Sequence, residues 1–176
     1  GTGRLGAVVG EAADLQDLPF ESASFDCVIA NHMLYHLPDP ARGVAELARV
    51  VRPDGVVVAA TNGRRHMREI WEIRGEVFGL PSVDETVDVF GAETGFVILR
   101  DHFEEVRWFQ YRDELHCTDP ADVVAYLCST PPAEDADESE MARILDAIDR
   151  AFEVGDGVMR ITKDSGCFVA RGPMAV

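Results

Sequence analysis

The 176-residue sequence has no apolar run approaching the ~20 residues that a helix needs to cross a bilayer. It opens without the basic, apolar and small-residue succession of a secretory signal, so a cytoplasmic location is expected. Cysteine is sparse: Cys27, Cys117, Cys128 and Cys167 are scattered, and no pair stands at CxxC spacing. That spacing speaks against a zinc site or a disulfide framework and for free thiols in a reducing compartment. Positive charge is scarce as well, with 16 Lys and Arg against 32 Asp and Glu, a net charge of −16. Nucleic-acid binding rests on Lys and Arg neutralising phosphates, so neither a nucleic acid nor an anionic membrane surface is an expected partner. Internal repeats and dividing linkers are missing too, which leaves a single domain over 1–176.

What remains is an ordinary globular composition, 47% apolar and 27% charged, on a chain long enough to bury a real core. Part of the acid is local to "AEDADESE" (133–140), which reads as a solvated loop entering a helix. "GAVVGEAAD" (6–14) reads as a strand ending in acid, and "FDCVIAN" (25–31) as a strand buried on both faces. Asp39-Pro40 supplies an N-cap and a first-turn proline. Val44, Leu47, Val50 and Val51 then recur at helical spacing over 40–52. "RPDG" (52–55) ends that helix, and "VVVAAT" (56–61) is a second buried strand. Strand, helix, strand is a βαβ unit and sets a parallel sheet.

Downstream, 64–79 reads as a helix carrying Met67, Ile70 and Trp71. Ser82 and Glu85 form a capping box for a helix running to about Thr94. The apolar "FVILRD" (96–101) and the alternating "EVRWFQYRD" (105–113) follow, with Trp108, Phe109 and Tyr111 expected to pack the sheet. Helices are expected from Thr118-Asp119-Pro120 to about Ser129 and over 138–154. "GVMRITKDSGCFVAR" (157–171) reads as two strands around the turn Lys163-Asp164-Ser165-Gly166, a C-terminal antiparallel hairpin.

Residues 13–61, "ADLQDLPFESASFDCVIANHMLYHLPDPARGVAELARVVRPDGVVVAAT", resemble the class I S-adenosylmethionine-dependent methyltransferases, in particular the small-molecule enzymes similar to those of quinone biosynthesis. Five elements in order carry the likeness. They are acid-x-x-x-Leu-Pro-Phe (Asp14 to Phe20), Ser-Phe-Asp (Ser24 to Asp26), the Asn/His segment after the strand, the helix ending in "RVVRPDG", and the strand after it. The resemblance implies an α/β fold: a Rossmann-like methyltransferase sheet, here partial, with strands 3–7, their helices and the C-terminal hairpin. It implies S-adenosylmethionine as cofactor and a small-molecule methyl acceptor. By spacing to Leu18-Pro19, Asp14 fits the acid that meets the adenine amino group, with Leu15 supplying the next backbone N–H. Glu11-Ala12 is a second candidate, and a purely turn-capping Asp14 is the alternative. Asn31 and His32 would touch the methionine side of the cofactor, while Tyr35, Thr61 and Asn62 would face the acceptor. His36 is the candidate catalytic base if the nucleophile carries a proton, or else a turn residue. No metal is expected, because no third ligand joins His32 and His36. Trp71 is expected in the core.

The family's acid-x-Gly-x-Gly-x-Gly turn and its ribose-binding acid are not found. "GTGRLG" (1–6) has glycines but no preceding strand. The chain therefore reads as the C-terminal portion of the fold, truncated ahead of strand 3. With the family strand order 3-2-1-4-5-7-6, strand 25–31 would be a naked apolar edge. Residues 5–14 would pair with it, or two chains would form a homodimer through it. The expected function is methyl transfer to a small organic acceptor. The alternative is a non-catalytic methyltransferase-like remnant or interaction subunit.

Overall fold

A computed structural model describes residue 10 and residues 12–174 of the chain. Four strands form one mixed sheet: β1 (Phe25–Asn31), β2 (Val51–Asn62), β3 (Phe103–Cys117) and β4 (Met159–Pro173), in the order β1-β2-β4-β3. β1 and β2 are parallel, and β4 is antiparallel to both β2 and β3. This is the order 4-5-7-6 that the resemblance implies, so the Rossmann-like class holds. Among the described residues β1 pairs only with β2. Residues 5–9 and 11, on which the expected strand at 6–14 and its repositioning depend, lie outside the described residues. Residues 12–14 form no strand beyond a single bridge between Asp14 and Asp17.

Helix α1 (Pro40–Val50) joins β1 to β2. Asp39 caps it by accepting from the Arg42 N–H at 3.1 Å, and Pro40 occupies the first turn, where its missing N–H costs nothing. Val44, Leu47 and Val50 are buried at helical spacing, and Val44 and Leu47 share a core with Val57, Ala59, Phe168 and Ala170 of the sheet. Helices α3 (Thr86–Phe90) and α4 (Gly95–Arg100) close the same core through Phe90 and Leu99.

A second core lies past the end of β2, where β3 and β4 continue as a two-stranded arm. Helices α2 (Arg68–Phe78), α5 (Pro120–Leu127) and α6 (Glu138–Val154) pack Ile70, Ile73, Val123, Ile144 and Ile148 against Met159 and Ile161 of this arm. β4 thus serves two cores from opposite faces. Met159 and Ile161 are buried at its start, whereas Phe168 and Ala170, in the other alternation phase, are buried farther on. α6 begins with a full capping box: Asp137 accepts from the Glu140 N–H and Glu140 from the Asp137 N–H.

Several sequence expectations are corrected. The turn at 163–166 does not exist, because that segment lies inside β4 with β3 alongside it throughout. Gly166 is there for close packing: an added Cβ would sit 2.4 Å from the Phe109 carbonyl oxygen and 2.5 Å from the Trp108 ring. The helix placed over 82–94 shrinks to α3. Asp84, not Ser82, organises its start by accepting from the Thr86 N–H and hydroxyl, and the Thr94 hydroxyl accepts the Gly91 N–H just beyond its end. α2 starts at Arg68, after a turn, and 96–101 falls in helix α4 and its end. Trp71 packs on the second core with the Arg74 guanidinium over its ring at 5.1 Å. Trp108 packs tilted against Phe168, ring centroids 4.7 Å apart, but Phe109 and Tyr111 are exposed on the other face of β3.

Candidate functional site

Parallel strands β1 and β2 end side by side at Asn31 and Asn62, and the β3–β4 arm with its helices rises beyond them. Ligands of open α/β sheets collect at such carboxyl edges. Asn31 and His32 are exposed here. His32 has φ +49°, a left-handed turn fixed by donation of its N–H to the Ala60 carbonyl at 3.0 Å. The chain then enters a 3₁₀ turn, Leu34–His36, anchored by buried Leu34 and packed against α3. Tyr35 is half-buried with its ring 6.4 Å from His32 and 4.5 Å from His36. His36 is exposed, and no side-chain hydrogen bond among the described residues orients it.

The segment after β2 is pinned to β4. The Gly63 N–H donates to the Asp164 carbonyl at 2.8 Å and the Arg65 N–H to Asp164 Oδ2 at 3.2 Å. Gln110 Nε2 donates to Asp164 Oδ1 at 3.0 Å. Glycine at 63 lets the Asp164 carboxylate sit close, since a Cβ there would lie 2.4 Å from Oδ2 and push that side chain aside. The turn sets His66 against β4, where its Nδ1 lies 3.1 Å from the Ser165 hydroxyl, itself 2.8 Å from Asn62 Oδ1.

Burial pushes the His66 pKa down to about 4, with Lys163 and His32 adding to the shift and Asp164 and Asp84 opposing it. Burial, with help from the Asp84 charge, raises the Tyr35 pKa. Asp84 thus influences both Tyr35 and His66, and His32 influences His66. Ser165 and Asp84 were not singled out as site residues from sequence. Ser165 was hidden by the turn-like "KDSG", and His66 lies 99 residues from it.

Among the residues nominated from sequence, the structure joins Asn31, His32, Tyr35, His36 and Asn62 at one edge. Thr61 does not face this space. It is fully buried, and its hydroxyl donates to the Phe90 carbonyl at 2.7 Å. Asp14 is exposed in a turn, its Oδ1 accepting the Gln16 N–H at 2.9 Å, while Leu15 is buried in the first core. Among the described residues Asp14 Oδ2 and the Leu15 N–H have no hydrogen-bond partner. A carboxylate oxygen and the following N–H, both uncommitted, fit the adenine edge that the resemblance assigns to them. Among the described residues no acid at another strand end beside β1 supplies the ribose contact, so the fit covers one flank of S-adenosylmethionine.

Comparison with known proteins finds likeness in sequence and in fold. Residues 4–59 match the methyltransferase domain family. Over 48 residues the chain is 48% identical to 27-O-demethylrifamycin SV methyltransferase of Amycolatopsis mediterranei, covering 27% of this chain and 18% of that one. Over 91 residues it is 34% identical to malonyl-[acyl-carrier protein] O-methyltransferase of Laribacter hongkongensis, covering 52% and 30%. The chain thus spans less than a third of the length of these curated relatives. In fold it is similar to a protein from an antibiotic biosynthesis pathway of Anabaena variabilis, provisionally assigned as a methyltransferase, at TM-score 0.59 and 13% identity over 91% of this chain and 72% of that one. It is also similar to the YcgJ protein of Bacillus subtilis, at TM-score 0.54 and 12% identity over 93% and 70%.

Proposed function

We propose that this chain, whose residues 4–59 match the methyltransferase domain family and whose sheet has the fold of class I S-adenosylmethionine-dependent methyltransferases, takes part in methyl transfer from that cofactor to a small organic acceptor. The observation that carries the reading is the position of Asn31 and His32, inside the segment that bears the family's motifs, beside Asn62 at the adjoining carboxyl ends of β1 and β2. S-adenosylmethionine, when bound, supplies a methyl group on a positively charged sulfur. The chain's own residues bind and orient. Asp14 Oδ2 and the Leu15 N–H meet the adenine edge, and Asn31 and His32 flank the methionine side. Tyr35 and Asn62 face the acceptor, with His36 at the rim as a proton acceptor for nucleophiles that carry one. Methyl transfer asks for alignment more than for covalent chemistry, so orientation by rigid strand ends is the protein's main contribution. The net charge of −16 favours a small neutral or cationic acceptor over a nucleic acid.

Isothermal titration with S-adenosylhomocysteine tests this. Binding in the micromolar range, weakened in Asn31→Ala without loss of thermal stability, supports the cofactor side of the reading. Silence favours a non-catalytic interaction role, to which the single cofactor flank found among the described residues lends weight.

A further inference from the structure

The geometry points to the relay His66–Ser165–Asn62 as the binding site for the methyl acceptor, with His66 Nε2 receiving a hydrogen bond from a neutral hydroxyl of the phenol or enol class. This rests on the methyl-transfer reading above and names the acceptor side of the same site.

The hydrogen-bond directions follow from the inventory of donors. Asn62 Oδ1 only accepts, so the single Ser165 hydroxyl proton goes to it across 2.8 Å. The Ser165 oxygen then has only lone pairs to offer His66 across 3.1 Å, and Nδ1 must carry the proton. That fixes the tautomer and leaves Nε2 with its lone pair outward. Nε2 has no hydrogen-bond partner among the described residues, and it is not one of their sealed, unpartnered polar atoms, so it reaches solvent. Its surroundings keep it neutral at working pH, because burial and Lys163 disfavour the charged ring more than Asp164 and Asp84 favour it.

A neutral imidazole nitrogen accepts but does not attract an anion. Asp164, held in place through the Gly63 and Arg65 N–H groups and Gln110, lies on one side of the ring and Lys163 offsets its charge, so the ring's own lone pair decides what binds. A hydroxyl supplies the proton that the lone pair lacks. An acidic one, with a pKa near the ~10 of a tyrosine, makes a stronger bond to the ring nitrogen than an alcohol does. The relay is built across three elements: the end of β2, the pinned turn at 63–67 and the middle of β4. Such a site is rigid and not an accident of one loop.

Nitrogen-detected NMR of the histidine rings in the whole chain tests the inference, with phenol as the probe and anisole, which has no hydroxyl proton, as its control. The expected spectrum at neutral pH shows His66 protonated at Nδ1 and bare at Nε2. Phenol shifts the Nε2 resonance, anisole does not, and His66→Phe binds phenol roughly 2- to 13-fold more weakly, the range of one ordinary hydrogen bond. Ser165→Ala releases the tautomer, giving a mixture of Nδ1–H and Nε2–H forms that a purely structural serine would not produce. The inference is overturned by an Nε2–H tautomer in the wild-type chain, by equal responses to phenol and anisole, or by unchanged phenol binding in His66→Phe. Titrating S-adenosylhomocysteine into the same sample separates the two levels. Cofactor binding without a phenol response removes only the acceptor site, whereas a phenol response without cofactor binding keeps the hydroxyl site and removes methyl transfer.

Discussion

Replacing Thr61 by valine isolates one interaction that holds the site together. Thr61 is fully buried at the last turns of β2, and its hydroxyl donates to the Phe90 carbonyl at 2.7 Å, tying the end of α3 to the sheet. That hydroxyl is the partner found for the carbonyl among the described residues. Valine keeps the shape and adds no cavity, so the change leaves a buried acceptor unpaired. The expected cost is about 1–3 kcal/mol. At about 2–4 °C per kcal/mol for a chain of this size, Tm falls by roughly 2–12 °C. Thr61→Ser keeps the hydroxyl and removes one methyl group, costing about 1 kcal/mol. Guanidinium denaturation of the three proteins, with unchanged slopes, reads the difference directly. If Thr61→Val is within about 0.5 kcal/mol of wild type, the hydrogen bond does not hold α3, and Thr61 returns to being a candidate for the acceptor side.

Other outcomes follow from the same structure. The folded-state pKa of His66, about 4, lies below its ordinary value of 6.5. Between these values the unfolded chain binds more protons at this site, so its contribution to stability is fully present above about 6.5 and is lost as pH falls toward 4. Denaturation midpoints measured through that window fall less steeply in His66→Phe than in wild type. Asp137→Ala removes the capping box of α6 and costs about 0.5–2 kcal/mol, read as a lower Tm with an unchanged far-ultraviolet spectrum. Ile148→Ala, at a fully buried position of the second core, costs about 2–5 kcal/mol, and urea denaturation shows it as a lower midpoint.

What could be read from the sequence was local and periodic. α1 announced itself through Asp39-Pro40 and the spacing of Val44, Leu47 and Val50, and α6 was expected over 138–154, where Ile144, Ile148 and Phe152 are buried at helical spacing. The sheet order came from the motifs of residues 13–61 together with the two strands that follow. The errors share one cause: local signals were overruled by long-range contacts. "KDSG" has the composition of a turn, yet β3 pairs with it residue for residue, and its members serve other ends. Asp164 pins the turn at 63–67, Ser165 binds His66, and Gly166 makes room for Trp108. The run at 96–101 is apolar enough for a buried strand but joins α4 on the sheet, a choice that periodicity alone does not make. The relay of Asn62, His66 and Ser165 was invisible for the same reason, because two of its members are brought across half the chain by strand pairing. Asn31, His32, Tyr35, His36 and Asn62 were legible because they end strands or follow them directly.

The most direct test of methyl transfer is an amide NMR map of the chain titrated with S-adenosylhomocysteine. The reading predicts saturable shifts at Asp14, Leu15, Asn31 and His32, with the second core around Ile144 and Ile148 left unmoved. An absence of shifts, or shifts confined to the groove between α2 and α6 lined by Glu72 and Arg150, would contradict it.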